Sequence, residues 1–391
     1  MQYFFFLGSN PSISVAELAK LLPNFSDNKV RVYPEQSLLL FEGDLPMAPE
    51  KLIRRLGGTI KIGLVIEEGA KPSQFLSILK GNFKNTGTRH NFGFSDHTGN
   101  LRLKAVAMEY KKFLKEQDVP CRWVVSQEPI LSSVVVEQND LLTKGVEMVF
   151  FKDGAGYSVG KTLAVQAFKE LSWRDYGRPA RDDHSGMLPP KLAQIMLNLA
   201  NVSEKSVILD PFCGSGTVIS EAALFGVKRL FGSDISPKAI ADTQTNLDWL
   251  KKQAPDSNFE LKLSNISADK VSQFLPAASV DAIVTEPYLG PQRGLNDIRA
   301  VVKDLESLYK SSLAEMYKIL KPDGRIVMLW PVFWNKKEPV KLNTEIASGY
   351  MIIPPLPEFL SGKLRLTERR TLLYGRSDQR VWREILILEK K

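Results

Sequence analysis

An aspartate followed by two closely spaced glycines is the arrangement in this chain that most clearly suggests chemistry. Asp210 ends a short apolar run, and Gly214 and Gly216 follow it, ahead of eight residues typical of a helix. Because glycine has no Cβ, the pair permits a tight turn and a close approach of the backbone to a ligand. The pattern predicts a strand, a turn and a helix that form a ligand pocket at the carboxyl edge of a parallel sheet.

The ligand expected at this turn is a cation rather than a dinucleotide. A dinucleotide fingerprint has a third glycine three residues after the second, and this chain has Ile219 at that position. A carboxylate ahead of the glycines also suits a positive charge better than it suits a pyrophosphate. We therefore predict a cationic cofactor.

The eight residues from Asp210 to Thr217, Asp-Pro-Phe-Cys-Gly-Ser-Gly-Thr, resemble a known motif. It is the first motif of S-adenosylmethionine-dependent methyltransferases, in the form used by enzymes that act on nucleobase amines. The resemblance implies S-adenosyl-L-methionine as cofactor and implies that the motif binds it. The residues expected to do so are Asp210, Phe212, Cys213, Gly214, Gly216 and Thr217.

Two further strand ends are expected beside this motif. Asp234 lies about 20 residues beyond the glycines, where a carboxylate can accept from two ribose hydroxyls. It can also cap the following helix. Ile235 is expected against the adenine face. At the tip of the third strand Asn265, beside Ile266, stands where the family commonly has an Asp, and its carbonyl oxygen can accept from the adenine amine.

The fourth predicted strand ends in Glu286-Pro287-Tyr288, where the family's pattern is Asp-Pro-Pro-Tyr. One alignment sets Tyr288 on the aromatic position and Thr285 on the Asp. The other sets Glu286 on the Asp and Leu289 on the aromatic position. We favour Glu286, because the residues around it match better in that alignment.

The chemistry of an exocyclic amine explains what this tip must supply. The lone pair of such an amine is delocalised into the ring, so the amine is a poor nucleophile. An acceptor beside its N–H groups turns the lone pair toward a donor methyl and takes up the developing positive charge. Glu286 and Pro287 are expected to provide that acceptor position. Tyr288 is expected to support a base taken out of its stack.

The composition is that of a globular protein with an anionic partner. The chain has 391 residues, 43% hydrophobic, and a net charge of +8. This length suggests two or three domains. No apolar run is long enough to span a membrane, and the start lacks the basic residues of a signal peptide, so we expect a cytoplasmic protein. Two distant cysteines predict neither a disulfide framework nor a metal site.

The part of the chain ahead of the glycine motif predicts two small α/β units. In the first, Ser14 and Glu17 have the spacing of a capping box at a helix start. The second resembles a THUMP domain, an RNA-binding module of tRNA-modifying enzymes. That resemblance is carried by Leu-Ser-Ser-Val-Val at 131–135, Asn-x-Leu at 139–141 and Lys-Gly-x-Glu at 144–147.

A cationic linker completes the resemblance. Residues 174–181 read Arg-Asp-Tyr-x-Arg-Pro-x-Arg, and residues 186–193 read Gly-Met-Leu-Pro-Pro-Lys-Leu-Ala. In this order, with the glycine motif, the segments resemble the THUMP-domain tRNA guanosine-N2 methyltransferases that modify guanosine 10. Lys and Arg supply most sequence-independent affinity for RNA. The residues expected to hold RNA are Lys104, Lys111, Arg122, Arg174, Arg178, Arg181 and Arg293.

The expected fold class is therefore α/β. A Rossmann-like methyltransferase domain, with a mostly parallel seven-stranded sheet and a closing antiparallel hairpin, occupies residues 185–391. A ferredoxin-like support domain at 1–70, a THUMP-like domain at 71–162 and a linker at 163–184 precede it.

The expected activity is methyl transfer from S-adenosylmethionine to the N2 amine of a tRNA guanosine. Two alternatives stay open at this point. One is the same chemistry on another nucleobase amine, in tRNA or at adenine N6 of DNA. The other is a tRNA-binding protein that has lost activity. The resemblance also leaves open whether a small activating protein partner is needed.

Overall fold

The chain forms two compact units. A computed structural model describes residues 1–85, 87–154, 156–181, 187–255, 257–291, 297–335 and 338–391. The first unit consists of Met1–Pro11, Leu22–Arg54 and Thr59–Phe168. The second consists of Ser12–Leu21, Arg55–Gly58 and Lys169–Lys391.

The ten α-helices of the described residues include none that is both long and apolar enough to cross a membrane. In chain order they are α1 (Pro11–Leu21), α2 (Pro49–Arg55), α3 (Phe75–Gly81), α4 (Leu103–Glu116), α5 (Ser133–Gln138), α6 (Phe168–Tyr176), α7 (Pro190–Leu199), α8 (Thr217–Leu224), α9 (Pro237–Gln253) and α10 (Ile298–Ile319).

The first unit is built on one eight-stranded sheet. Its strands are β1 (Gln2–Leu7), β2 (Val30–Tyr33), β3 (Leu38–Glu42), β4 (Thr59–Ala70), β5 (His90–Asp96), β6 (Cys121–Val124), β7 (Gly145–Asp153) and β8 (Gly156–Val165). Their spatial order is β2-β3-β1-β4-β8-β7-β5-β6, with β5 parallel to β6 and β7 and the other pairs antiparallel. Both expected domains, 1–70 and 71–162, supply strands to this sheet, and the boundary between them stays a prediction.

A buried ion pair lies inside the first unit. Lys61 and Glu147 are almost fully buried, and the Lys61 ammonium donates to the Glu147 carboxylate and to the Leu131 carbonyl. The hydroxyls of Ser95 and Thr162 also donate to Glu147, at 2.5 and 2.6 Å. Since a buried carboxylate needs several donors to offset its lost hydration, these contacts stabilise Glu147. The Lys-Gly-x-Glu motif thus supplies an interior residue of this unit.

The second unit is built on a nine-stranded sheet. Its strands are β9 (Val207–Asp210), β10 (Arg229–Ser233), β11 (Glu260–Ser264), β12 (Val280–Thr285), β13 (Leu320–Asn335), β14 (Glu338–Lys341), β15 (Tyr350–Ile352), β16 (Leu372–Tyr374) and β17 (Val381–Lys390). Seven of them lie in the order β11-β10-β9-β12-β13-β17-β15, while β14 pairs with β13 and β16 with β17.

The strand directions bring the predicted tips to one edge. Strands β9 to β13 are parallel, and β17 runs antiparallel to β13 and β16. All four residues of β9 are buried, as expected for a central parallel strand covered by helices on both faces. The carboxyl ends of β9, β10 and β12 therefore meet at one edge. The predicted fold class, including the closing antiparallel hairpin, is confirmed.

The expected capping box at Ser14 and Glu17 is wrong. Helix α1 already begins at Pro11, and the Ser14 hydroxyl donates to the Gly58 carbonyl at 2.6 Å. The Glu17 carboxylate accepts from the backbone N–H groups of Gly57 and Gly58, both at 2.9 Å, and from the Asn198 amide. The Ser-x-x-Glu pattern therefore holds residues 57–58 against α1 within the second unit, and burial raises the pKa of Glu17 to about 7.

Candidate functional site

The second unit has a cavity of about 600 Å³ at the carboxyl ends of β9, β10 and β12. This is the size of a small-molecule site. The structure brings most of the predicted catalytic and cofactor residues to its wall. Those on the wall are Asp210, Phe212, Cys213, Gly214, Thr217, Asp234, Ile235, Glu286, Pro287 and Tyr288.

The two glycines form the turn that shapes one side of the cavity. Both have left-handed backbones, with φ of 52° at Gly214 and 83° at Gly216, and the Gly216 N–H donates to the Cys213 carbonyl at 2.7 Å. A Cβ on Gly216 would lie 2.9 Å from Cγ2 of Thr243, whereas one on Gly214 would have no protein atom within 4 Å. Gly216 thus packs against α9, and Gly214 leaves open space on the cavity side.

Asp210 is buried at the bottom of the cavity. Its Oδ1 accepts from the Thr285 hydroxyl at 2.6 Å and from the Phe212 N–H at 3.1 Å. Burial is the main cause that raises the pKa of Asp210 to about 7; the charges of Asp234 and Glu286 act in the same direction, and these two hydrogen bonds oppose it. Asp210 therefore ties the glycine turn to the end of β12.

Thr285 and Glu286, the two candidates for the acidic position of the family's motif, have different surroundings. Thr285 is fully buried, and its hydroxyl donates to Asp210. Glu286 and Tyr288 both line the cavity, and the Tyr288 side chain is 58% exposed. Leu289 lines it too but is buried. This placement favours Glu286 as the acceptor and Tyr288 as the ring available to a base.

Glu286 has one close partner on the sheet. Its Oε1 accepts from Nε of Arg383 in β17 at 2.5 Å, and the two side chains are 12% and 10% exposed. Burial raises the pKa of Glu286 above its usual value, while the Arg383 charge lowers it. Among the residues that the structure describes, Oε2 of Glu286 has no hydrogen-bond partner. A carboxylate oxygen is therefore free to accept a ligand N–H.

Asp234 links the end of β10 to the glycine turn. Its Oδ2 accepts from the Gly214 N–H at 3.0 Å and its Oδ1 from the Ser236 N–H at 2.9 Å. The N-cap of α9 is Ser236, whose hydroxyl accepts from Ala239, so Asp234 does not serve as that cap. Ile235 is 74% exposed on the cavity wall. An exposed apolar side chain at this point suits a flat ring.

Three of the predicted cofactor residues lie off the cavity wall: Gly216, Asn265 and Ile266. The Asn265 amide donates to the carbonyls of Asp234 and Ile235, each at 2.9 Å. Asn265 therefore holds the backbone of the Asp234–Ile235 segment. Its role as an adenine acceptor stays a prediction.

Two of the predicted RNA-binding arginines have little exposed surface: Arg178 is buried, and the Arg174 side chain is 9% exposed. Arg174 forms an ion pair with Glu221 at 2.7 Å, with side chains 9% and 1% exposed. Arg178 is 6% exposed and donates to the Thr217 hydroxyl at 2.6 Å and to Sδ of Met187 at 2.9 Å. Both side chains bond to partners inside the second unit, and the expectation that they hold RNA stays a prediction that this placement does not support. Both arginines contact helix α8, Arg174 through Glu221 and Arg178 through Thr217.

The other predicted RNA-binding residues are placed differently. Lys104, Arg122 and Arg181 are exposed, and Lys111 is half-buried. The Arg181 guanidinium lies 5.5 Å from the centre of the Tyr176 ring. Arg293 lies outside the described residues. Lys104, Arg122 and Arg181 thus lie at the surface, where a polyanion can reach them.

Sequence reasoning missed several wall residues and the Glu286 partner. Met187 and Leu188 line the cavity, as do Ser267 and Ala268 after β11. Met187 and Leu188 belong to the Gly-Met-Leu-Pro-Pro motif, which could have indicated a role at the site. No local signal marks Arg383, which is 97 residues from Glu286 in sequence.

Residues 178–342 match the UPF0020 family model, described as an RMKL-like methyltransferase domain. Over 339 residues the chain is 24% identical to tRNA (guanine(10)-N2)-dimethyltransferase of Pyrococcus abyssi, covering 85% of this chain and 88% of that protein. It is 33% identical over 199 residues to the enzyme of the same name from Methanocaldococcus jannaschii, covering 49% and 51%. The chain is thus similar to tRNA guanine-N2 methyltransferases, and residues 178–342 match a methyltransferase domain.

The fold of this methyltransferase also occurs in solved structures. TrmN from Thermus thermophilus superposes with a TM-score of 0.53 at 16% sequence identity, covering all of both chains. At this identity the likeness shows the fold alone. The fold expected from the motifs is confirmed, and so is the resemblance to tRNA guanine-N2 methyltransferases.

The cavity suits the cofactor of a methyltransferase, S-adenosylmethionine. Among the described residues its wall carries four carboxylates and one ammonium group: Asp210, Asp234, Asp242, Glu286 and Lys238. This excess of negative charge favours a sulfonium. Gly214 provides close backbone approach, Asp234 a carboxylate for hydroxyl groups, and Ile235 an apolar surface for a ring.

Proposed function

We propose that this protein transfers a methyl group from S-adenosylmethionine to the exocyclic N2 amine of a guanosine in tRNA, at position 10. One observation carries the proposal: Glu286 lines a cavity beside the glycine turn, and its Oε2 has no hydrogen-bond partner in the described part of the chain. The names of the two archaeal relatives support guanine N2 and position 10.

Some residues of the site would bind the cofactor, and others would contact the target base. Asp234, Gly214 and Ile235 would hold the nucleoside part of the cofactor. When bound, S-adenosylmethionine supplies an electrophilic methyl group. Glu286 would accept an N–H of the target amine at Oε2, which directs the amine lone pair and takes up positive charge as it develops.

The exposed ring of Tyr288 would hold the base beside Glu286. A guanine inside a helix buries its N2 amine in the minor groove against its neighbours, so the base must leave its stack to enter a cavity of this kind. The Tyr288 carbonyl accepts from the Tyr309 hydroxyl at 2.9 Å, which fixes the backbone under this ring. Positioning of this kind can supply about 7–11 kcal/mol of a barrier.

A direct test is methylation of a tRNA transcript, followed by digestion and identification of the modified nucleoside. We expect N2-methylguanosine, and we expect it to vanish when guanosine 10 is replaced by adenosine. A methylated adenosine, or a guanosine modified elsewhere, would favour the alternative of another nucleobase amine. Absence of methylation by a protein that binds S-adenosylmethionine would favour a tRNA-binding protein without activity.

The first variant to test is Glu286→Gln. Since Gln offers a weaker, uncharged acceptor, we expect the methylation rate to fall by about 10²–10⁴-fold. S-adenosylmethionine affinity, measured by calorimetry, should be retained. Glu389→Gln is the matched control, because Glu389 also pairs with an arginine on this sheet, Arg325, away from the cavity wall. Full activity of Glu286→Gln would remove Glu286 from the reaction.

A further inference from the structure

The pairing of Glu286 with Arg383 suggests a role for a residue on a strand outside the parallel part of the sheet. Strand β13 lies between β12 and β17, and Arg383 is opposite Pro331 in the β13–β17 ladder. Thr285, the last residue of β12, is opposite Met328. Arg383 therefore lies beyond the end of β12, on the side where Glu286 enters the cavity wall.

We propose that Arg383 is the positioning residue of the acceptor carboxylate. It holds Oε1 of Glu286, directs Oε2 toward the cavity and keeps the carboxyl group ionised. This inference rests on the proposed function and adds to it the residue on which the acceptor depends.

Geometry supports the orienting part of this role. A glutamate side chain has several rotatable bonds, and holding it in one conformation costs conformational entropy. A charge-assisted bond at 2.5 Å from an arginine that is itself 10% exposed restricts those bonds. Since Arg383 donates to one oxygen and the other has no partner among the described residues, the pair presents a single oriented acceptor.

The charges around Glu286 support the second part of this role, in which Arg383 keeps the Glu286 carboxyl group ionised. Within the described part of the chain, three groups interact electrostatically with Glu286: Arg383 from β17, Asp210 from the end of β9 and the buried Tyr309 from α10. The Asp210 carboxylate is of like charge and Tyr309 is neutral, so Arg383 alone of these three favours the carboxylate form. Burial works in the opposite direction and raises the pKa of Glu286. A protonated Glu286 would have one acceptor oxygen fewer for the amine.

The experiment is the pH dependence of the single-turnover methylation rate for Arg383→Met. Without the positive charge, the pKa of Glu286 rises, so the acid limb of the profile should move to higher pH by about 1–3 units. Arg325→Met is the matched control: Arg325 pairs with Glu389 of β17, away from the cavity wall, and its removal should leave the acid limb in place.

Two further measurements keep the outcomes distinct. Melting temperature and S-adenosylmethionine affinity report whether Arg383→Met folds, and if it does not, Arg383→Gln replaces it, with an N–H donor but no charge. An unchanged acid limb in an active, folded variant would overturn the role of Arg383 and leave the proposed function intact. Absence of guanosine methylation by the wild-type protein would overturn both.

Discussion

Asp210 is a buried acidic residue on the cavity wall, and its ionisation affects the stability of the fold. It is buried below the cavity, it joins the glycine turn to β12, and its pKa of about 7 lies well above the ordinary value of 3.8. Ionisation of such a group is disfavoured in the folded state relative to the unfolded state. The ionised form of this carboxyl group on the cavity wall therefore has a cost to folding.

We expect Asp210→Asn to be more stable than the wild type at pH 8 in the absence of ligand. The folded-state pKa is raised, so the contribution of Asp210 to stability is fully present below pH 3.8 and is lost as the pH rises toward about 7. Between these values the loss is about 1.4 kcal/mol per pH unit. The Asn side chain keeps an oxygen that can accept from Thr285 and Phe212.

The measurement is the difference in melting temperature between Asp210→Asn and the wild type at pH 5 and at pH 8. That difference should grow in favour of the variant at pH 8. A difference that does not change with pH would show that Asp210 titrates as it does in the unfolded chain.

At the scale of elements, the glycine turn depends on the helix that packs against it. Helix α8 begins right after Gly216, and Thr243 of α9 donates to the Gly214 carbonyl at 2.7 Å. Asn246 of α9 donates to the carbonyls of Ser215 and Ala180. Helix α9 therefore holds two carbonyls of the turn, those of Gly214 and Ser215. Through Asn246 the same helix also holds Ala180, in the linker ahead of α7.

Gly216→Ala should destabilise the protein by about 1–3 kcal/mol, because a left-handed alanine is strained and its Cβ would approach Thr243. Thr243→Ser removes Cγ2, the closest atom, so the double variant should recover part of the loss. Gly214→Ala is the matched control: its backbone is also left-handed, and no atom of the described residues lies within 4 Å of the new Cβ. Equal melting temperatures for the two single variants would contradict a packing role for Gly216.

At the scale of the whole molecule, the net charge of +8 is distributed between two kinds of cation. Arg178 is buried, the Arg174 side chain is 9% exposed, and both bond to partners inside the second unit. Lys104, Arg122 and Arg181 are exposed. Only exposed cations can neutralise phosphates, so the contribution of a cation to RNA affinity should follow its exposure.

Combined replacement of Lys104, Arg122 and Arg181 by Ala should weaken tRNA binding. The slope of log affinity against log salt should become shallower by about one for each phosphate left without a cation. S-adenosylmethionine affinity should stay unchanged. Arg178→Met should weaken S-adenosylmethionine affinity and leave tRNA binding unchanged, because Arg178 contacts Thr217 and Met187 on the cavity wall. Weaker tRNA binding by folded Arg178→Met, at unchanged cofactor affinity, would restore the original expectation for that residue.

The local pattern of the chain determined the elements that position the site. Strand β9 and helix α8 lie on either side of Gly214 and Gly216 as the pattern predicts, and β12 ends directly before Glu286. The glycine turn and its helix could also be predicted from the sequence, because a strand, a turn and a helix start depend on neighbouring residues. The same locality explains why Asp210, Asp234 and Glu286 could be assigned to one edge of a parallel sheet.

Tertiary structure alone decided which side chains meet across long stretches of chain. The Ser14–Glu17 pattern reads locally as a cap, yet its partners are residues 57–58 and Asn198. Arg178 reads as an RNA contact and is instead buried against Thr217. Arg383 carries no local signal and meets Glu286 across the sheet. Residue type and spacing along one element set its period and its ends, whereas the partner of a polar side chain depends on which distant element packs beside it.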